Sequence, residues 1–479
     1  MAVRHVVVTN EEEGRKSDGD EMDTGQGKAR LGMPAVGTLI ARQPFSLDAL
    51  LLLLLVLPHR WWNPVSTALI ILGVGIYLVL DTLYPLGTGP NSTPSNTTKR
   101  LTFALRLFIV ILIIGIAAIV PSAYNIILRL TADPSSEAYS IAYSKTHDGA
   151  IQTEEAIGMI LAGQNPYVED YENTLVANYV LPSVPVNPAI YHNAYLPFTF
   201  IFSIPFYVVL QEVMGWYDQR VVYLLTFTFL ILLLPKLTRS QNGKLALLIA
   251  IGLNSSLVGS LAMGMNDSFV LFWLVLTVYL LQEGHSSASM VCMALACCTK
   301  HSAWLFLPFY FLYRVRGPLS LTKLKSAALD AWPFFVTLAV VVLPFFLWNP
   351  PAFIDDTYSY LVGTSAASYP IAGSGFGSVL LALGLIKSNT EYFPFWIPQL
   401  MFAVPVLICV LKKQLAENNL QQCWLGYGLS LFAVGFFSRF FQGNYFGFIV
   451  AILALAYFAE PGQPVPRARS AADPQISTE

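Results

Sequence analysis

Charge is what this chain has least of. Asp, Glu, Lys and Arg make up 12% of its 479 residues, where soluble domains carry about a quarter. Hydrophobic residues reach 55%, and mean hydropathy is +0.57. A net charge of −2 supplies no field to gather nucleic acid. No Rossmann glycine pattern, P-loop or ATPase signature occurs. Cysteine is scarce too: Cys292, Cys297, Cys298, Cys409 and Cys423 all lie in or beside apolar segments. Neither a disulfide framework nor a zinc site is expected from them, and a Cys297–Cys298–His301 ligand set ranks below buried small residues. No repeat of fixed period is visible, which argues against transporters built from two symmetric halves.

What is present is apolar length. Segments fall at 45–58, 65–83, 102–125, 220–235, 245–262, 268–282, 288–314, 332–348, 395–411, 422–437 and 444–459. Roughly 20 residues cross a bilayer, so an all-α, polytopic integral membrane protein with about 10–13 transmembrane helices is expected. The 288–314 run is too short for two spans and is expected to break near Lys300. The charged N-terminal stretch lacks an apolar h-region, so residues 1–40 and 460–479 read as disordered cytoplasmic tails.

Lys99, Arg100 and Arg106, then Lys236, Arg239 and Lys244, then Arg314, Arg316, Lys323 and Lys325, then Lys412 and Lys413 can all face the cytoplasm. One condition applies: the proline-bearing segment 195–210 must not cross. The chain then divides into an extra apolar hairpin (41–100), a core (101–348) with an outer loop at 130–195, a second outer loop (349–394) and C-terminal helices (395–459). That topology places the sequons at Asn91 and Asn96 in the cytoplasm, where they stay unused.

The first outer loop carries eight carboxylates against Lys145, and its densest part is "HDGAIQTEEAIGMILAGQNPY". Read as a helix over Asp148–Leu161, it places Asp148, Gln152 and Glu155 on one face, with Ile151, Ile157, Ile160 and Leu161 around the other. Gly163 ends it and Pro166 forbids resumption. Asp148 has two compatible readings, the N-cap of this helix and a general base toward a hydroxyl. A base at a membrane surface needs a leaving group available without ATP, and a lipid-linked sugar phosphate is one.

The phosphate then calls for cations. Lys300 and His301 interrupt one apolar run and Arg439 another, while Asn266 and Asp267 form a turn at the outer end of a segment. Ionisable groups at mid-helix cost roughly 2.5–3.5 kcal/mol on insertion scales, which marks them as functional suspects. The structural alternative is partner pairing, for instance Asp267 with Lys300. Tyr191, His192 and Tyr195 are candidates for an acceptor cleft, or else belt residues. Tyr445 is a further substrate-binding candidate, and the glycine-rich Tyr369–Gly377 is either a flap or an ordinary loop. The acidic loops admit a divalent metal, though none has EF-hand spacing.

In this order, "HDGAIQTEEAIGMILAGQNPY", "YHNAYLPFTFIFSIPF", "GMNDSFVLFWLVLTVYL" and "ASMVCMALACCTKHSAWLFLPFYFLYR" resemble motifs of the GT-C superfamily of polytopic glycosyltransferases. The pattern is most like that of polyprenol-phosphate-mannose-dependent mannosyltransferases, over about residues 100–316. "GMND" departs from the usual "GQND", and "YHNAYLP" from the usual tyrosine-proline-proline form. The resemblance implies a plasma-membrane enzyme with an extracytoplasmic site. It would move a mannose or other hexose or pentose from a polyprenyl-phosphate donor to a lipid, glycan or protein acceptor, with inversion. Asp148 would be the base, Glu155 would hold a sugar or acceptor hydroxyl beside Glu154, and Lys300 and Arg439 would offset the departing phosphate. A transporter or lipid flippase, and an oligosaccharide ligase, are the competing classes.

Overall fold

The computed structural model describes residues 45–56, 63–86, 95–179, 181, 184–315 and 320–459, and helices carry most of them. The expected tails, the sequon at Asn91 and Arg316 lie outside the described residues. Four helices are long and apolar enough to cross a bilayer: Pro64–Leu83, Asn96–Thr131, Arg220–Leu237 and Trp396–Ala416. Two bent pairs, Gln241–Gly252 with Ser255–Met263 (50°) and Leu321–Leu329 with Trp332–Trp348 (42°), raise the number to six if each is one span.

The 10–13 full-length crossings are therefore not matched among the described residues. Five apolar stretches form helices of only 10–17 residues, Asp267–Gln282, Ser286–Cys297 and Gly443–Phe458 among them. One of the bent pairs shows a capping residue inside an apolar run. At the first bend, Asn254 Oδ1 accepts from the Leu257 N–H at 3.1 Å, and its Nδ2 donates to the Gly447 carbonyl at 2.8 Å. That side chain starts one helix and ties it to the Gly443–Phe458 helix. The break near Lys300 is present: Ser286–Cys297 ends, a tight turn covers His301–Phe306, and Leu307–Val315 follows. Segment 195–210 forms Phe198–Ile201 and Ile204–Met214, too short for a full crossing.

The N-terminal hairpin packs on the Asn96–Thr131 helix through buried charge. Arg106, grouped above with cytoplasmic cations, is fully buried and paired with Asp48 and, at 3.0 Å, with Asp81. The Tyr77 hydroxyl bonds Asp48, and Arg106 Nη2 donates to it at 3.1 Å. Two carboxylates from the two hairpin helices thus hold one guanidinium of the core.

The 349–394 segment, expected as a second outer loop, is not a free flap. Ala372–Gly373 pairs in parallel with Phe440–Phe441, and the Ser374 N–H donates to the Phe441 carbonyl at 2.8 Å. Gly373 has φ +86°, and a Cβ there would strike the Phe441 backbone. Arg439 completes the pinning. Its Nε bonds the Tyr369 carbonyl, Nη1 the Glu391 carbonyl at 2.9 Å and Nη2 the Asn389 carbonyl at 3.2 Å.

Candidate active site

The acidic stretch folds as the spacing predicts, a helix over Asp148–Leu161, followed by Gly163 at φ +76°. Ile151 and Ile157 are buried, but Leu161 is half exposed and takes no part in the apolar face. The cap also differs: His147, with extended φ and ψ, is the N-cap, and Asp148 is the first helical residue.

The end of the Ser255–Met263 helix positions this start. The His147 N–H donates to the Met263 carbonyl at 2.7 Å. Gly264, at φ +88°, lets the chain turn against Ala150 and Arg220, where a Cβ would meet both at 2.8 Å. Asn266 and Asp267 follow directly, so the "HDG" and "GMND" stretches meet. From the other side Tyr195 lies on Gly149 so closely that a Cβ there would collide with its ring and hydroxyl.

These elements enclose a cavity of about 420 Å³, within the roughly 300–1,000 Å³ of small-molecule sites. Of the residues singled out in the sequence, Asp148, Tyr195, Asn266, Asp267, Lys300, His301 and Tyr445 line it. Sequence reasoning missed His147, Tyr360 and Asn444, named Tyr369 only as the start of a candidate flap, and gave Gln152 no role; all five also line it. The "QGNY" beside Tyr445, opening a helix after Arg439, was the available signal for Asn444. Nothing local marked Tyr360.

Asp148 is buried. Its Oδ2 accepts from Asn187 Nδ2 at 3.0 Å, and its Oδ1 from the Gly149 N–H at 2.8 Å. His147 Nδ1 lies 2.9 Å from Oδ1 and donates there when it carries a proton. The same nitrogen, when bare, can accept from the Gly149 N–H at 3.1 Å, so the two contacts are alternatives. Burial by itself would raise the pKa of Asp148. The His147 charge and the Asn187 and Gly149 donors outweigh it and hold the carboxyl below its usual range. The carboxylate is therefore ionised at neutral pH.

Lys300 Nζ bonds Asp267 Oδ1 at 2.6 Å, and Asn444 Nδ2 bonds the other oxygen at 2.7 Å. The ammonium also lies 5.3 Å from the centroid of the Tyr445 ring. The pairing weighed as the structural alternative is thus made. Lys300 keeps two further N–H donors. Among the described lining residues it is the one permanent cation, beside the carboxylates of Asp148 and Asp267.

Asn266 is different. It is 1% exposed, and neither its Oδ1 nor its Nδ2 has a hydrogen-bond partner. It occupies the N-cap position of the Asp267–Gln282 helix, yet its side chain does not cap. Asparagine is among the best N-caps, and leaving a buried polar group unsatisfied costs about 1–3 kcal/mol.

Five expected residues do not line the cavity. Glu154 forms a bidentate pair with Arg129 (2.8 and 2.9 Å), in a buried network with Asp218 and Arg220. Glu155 accepts from the Leu175 backbone N–H and is raised in pKa by burial. It sits three residues past Gln152, and that rotation carries it off the cavity side. Tyr191 is exposed. Arg439 is committed to the three carbonyls above. His192 lies behind the Gln152 and Tyr360 wall: Gln152 Nε2 donates to its carbonyl at 2.7 Å, and its ring stacks on Tyr360 at 4.6 Å.

His192, Asp355 and Asp356 hold ligand atoms within 4.8 Å of one another, the one such metal-type group among the described residues. Its donors already satisfy each other. His192 Nδ1 meets Asp356 Oδ1 at 2.9 Å, Nε2 meets Ser365 Oγ at 3.2 Å, and the Asn193 N–H donates to Asp356 Oδ2 at 2.8 Å. These bonds join the 349–394 segment to the loop that carries His192 and Asn193. No protein-family model, curated protein or solved structure matches this chain.

Proposed function

We propose that the protein is a membrane glycosyltransferase. It moves a sugar from a polyprenyl-phosphate donor to an acceptor hydroxyl on the extracytoplasmic face, by a single inverting displacement. One observation carries this reading: a buried carboxylate, Asp148, stands in a cavity with aromatic walls beside a lysine. Rings with apolar faces and hydroxyl edges suit such walls. The Asp148 carboxylate suits the positive charge that develops at an anomeric carbon.

Asp148 accepts the acceptor hydroxyl proton as that oxygen bonds to the anomeric carbon. The bond to the phosphate oxygen breaks, and its electron pair leaves with the lipid phosphate. A carboxylate held below its usual pKa is a weak base, so proton transfer accompanies bond formation and does not precede it. Lys300, with Asp267 and Asn444 fixing its position, directs its remaining N–H donors at the leaving phosphate. A single displacement needs no second carboxylate, and Glu155 and Arg439 have no part in it.

Radiolabelled polyprenyl-phosphate mannose with the purified protein is the test, with the glucose, galactose and arabinose donors beside it. Turnover is expected for one of these, and Asp148→Asn should lower it by a factor on the order of 10²–10⁴ while the protein stays folded. Retained turnover in Asp148→Asn would reject the base. Movement of intact lipid across vesicles without sugar release would favour a flippase.

A further inference from the structure

Sugar transfer leaves a proton on Asp148, and the groups around that carboxyl decide where it goes next. Three protein groups meet it. Asn187 Nδ2 reaches Oδ2 at 3.0 Å, and Asn187 Oδ1 accepts from the Ala189 N–H at 3.1 Å, which fixes the amide with its donor toward Asp148. The Gly149 N–H reaches Oδ1 at 2.8 Å. Both groups are donors, and neither can take a proton. The third is His147 Nδ1, 2.9 Å from Oδ1; when bare, it is the one acceptor among these contacts.

No backbone movement is needed for Nδ1 to change state. The Gly149 N–H points at Nδ1 (3.1 Å) and at Asp148 Oδ1 (2.8 Å) together, so it keeps Oδ1 when Nδ1 gains a proton. His147 is held in place by its own N–H, which donates to the Met263 carbonyl at 2.7 Å. Its side chain lines the cavity and is 22% exposed, against 9% for Asp148. An imidazole ordinarily binds a proton more firmly than a carboxyl, with a pKa of about 6.5 against about 3.9. The phenols that sense the Asp148 charge are Tyr143, Tyr179, Tyr195, Tyr360 and Tyr369. Burial raises all five, so they stay neutral and take no proton.

We propose that His147 receives from Asp148 the proton that Asp148 takes from the acceptor hydroxyl. His147 acts through Asp148 and needs to touch no reacting atom. This rests on the transferase reading and adds a proton path to it. The acceptor O–H bond breaks as its oxygen bonds the anomeric carbon, and the proton goes to Asp148 Oδ1. It passes from Oδ1 to His147 Nδ1, which restores the carboxylate. The imidazolium then gives a proton to water, while the electron pair of the broken sugar bond has left with the phosphate.

Release of labelled mannose from polyprenyl-phosphate mannose, with water as the acceptor, tests this as a profile of kcat/KM against pH. The glucose, galactose and arabinose donors serve in its place where they are the ones turned over. Protonated His147 can take no second proton but leaves Asp148 working alone. Wild type should therefore show a partial step above the final acid limb of Asp148. His147→Asn keeps an oxygen that can cap the helix, yet it cannot hold a proton. It should unfold in detergent at the wild-type temperature and lose the step. Above the step it should be slower by on the order of 10–100-fold, a smaller loss than in Asp148→Asn. A merely structural histidine would shift the unfolding temperature and leave the step in place.

His301 is the other imidazole among the described lining residues, and His301→Gln should keep the step. Should His147→Asn fail to fold, wild type and His301→Gln still decide. A wild type without the step, a step that survives in His147→Asn, or one that His301→Gln removes, overturns this inference alone. No sugar release by wild type from any of the four donors overturns the transferase reading and this inference with it.

Discussion

Asp148 is governed by three contacts, and each can be removed singly. Its carboxyl lies below its usual pKa because the His147 charge, the Asn187 amide and the Gly149 N–H outweigh burial. A depressed folded pKa makes a contribution to stability that is present above the unfolded value, about 3.9, and is lost as pH falls through the folded one. The acid limb of kcat/KM should therefore lie below the ordinary carboxylate range. Asn187→Ala, which deletes the 3.0 Å donor, should move that limb to higher pH. A pH–rate profile checks both; a limb at the ordinary value in both proteins would show that Asp148 does not set it.

At the scale of elements, the Asp148–Leu161 helix is held by Glu154, the neighbour of Glu155. Glu154 grips Arg129 at the end of the long Asn96–Thr131 helix, and Asp218 closes the network from the following loop. Removing one partner of a buried pair costs about 3–5 kcal/mol when the other charge is stranded, and less here, because Asp218 stays on Arg129 at 2.9 Å. Glu154→Gln should lower thermal unfolding in detergent accordingly. Loss of activity without loss of stability in that variant would return Glu154 to the chemistry.

Across the whole molecule, the 130–195 and 349–394 segments meet at the His192–Asp356 contact, which backs the Tyr360 wall of the cavity. Burial raises the Asp356 pKa to about 6, partly offset by His192 and the Asn193 N–H, with Asp355 adding to the rise. A raised folded pKa gives stability that is complete below the unfolded value, about 3.9, and lost as pH rises through about 6. Hydrogen exchange across residues 350–362 should thus be slower at pH 4 than at pH 7, beyond the intrinsic pH effect. Asp356→Asn, which keeps the group neutral, should remove the difference. An unchanged difference in that variant would assign the pH response elsewhere.

Local chemistry determined much of this in advance. Hydrophobic period and the Gly163–Pro166 stop fix a helix at Asp148–Leu161, because both act within a few residues. The interruption of an apolar run at Lys300 likewise marks a break and a paired cation. What period cannot convey is which neighbour a face meets. Glu154 and Glu155 stand within two turns of Asp148, yet only the tertiary structure sends them to Arg129 and Leu175 and leaves Asp148 in the cavity. Arg439 looks in sequence like Lys300, an ion within apolar surroundings, but three carbonyls of the second outer loop claim it. Asn444 reaches Asp267 across 177 residues. Such partners are chosen by long-range packing, where each buried charge or amide must find its complement or be left, like Asn266, without one.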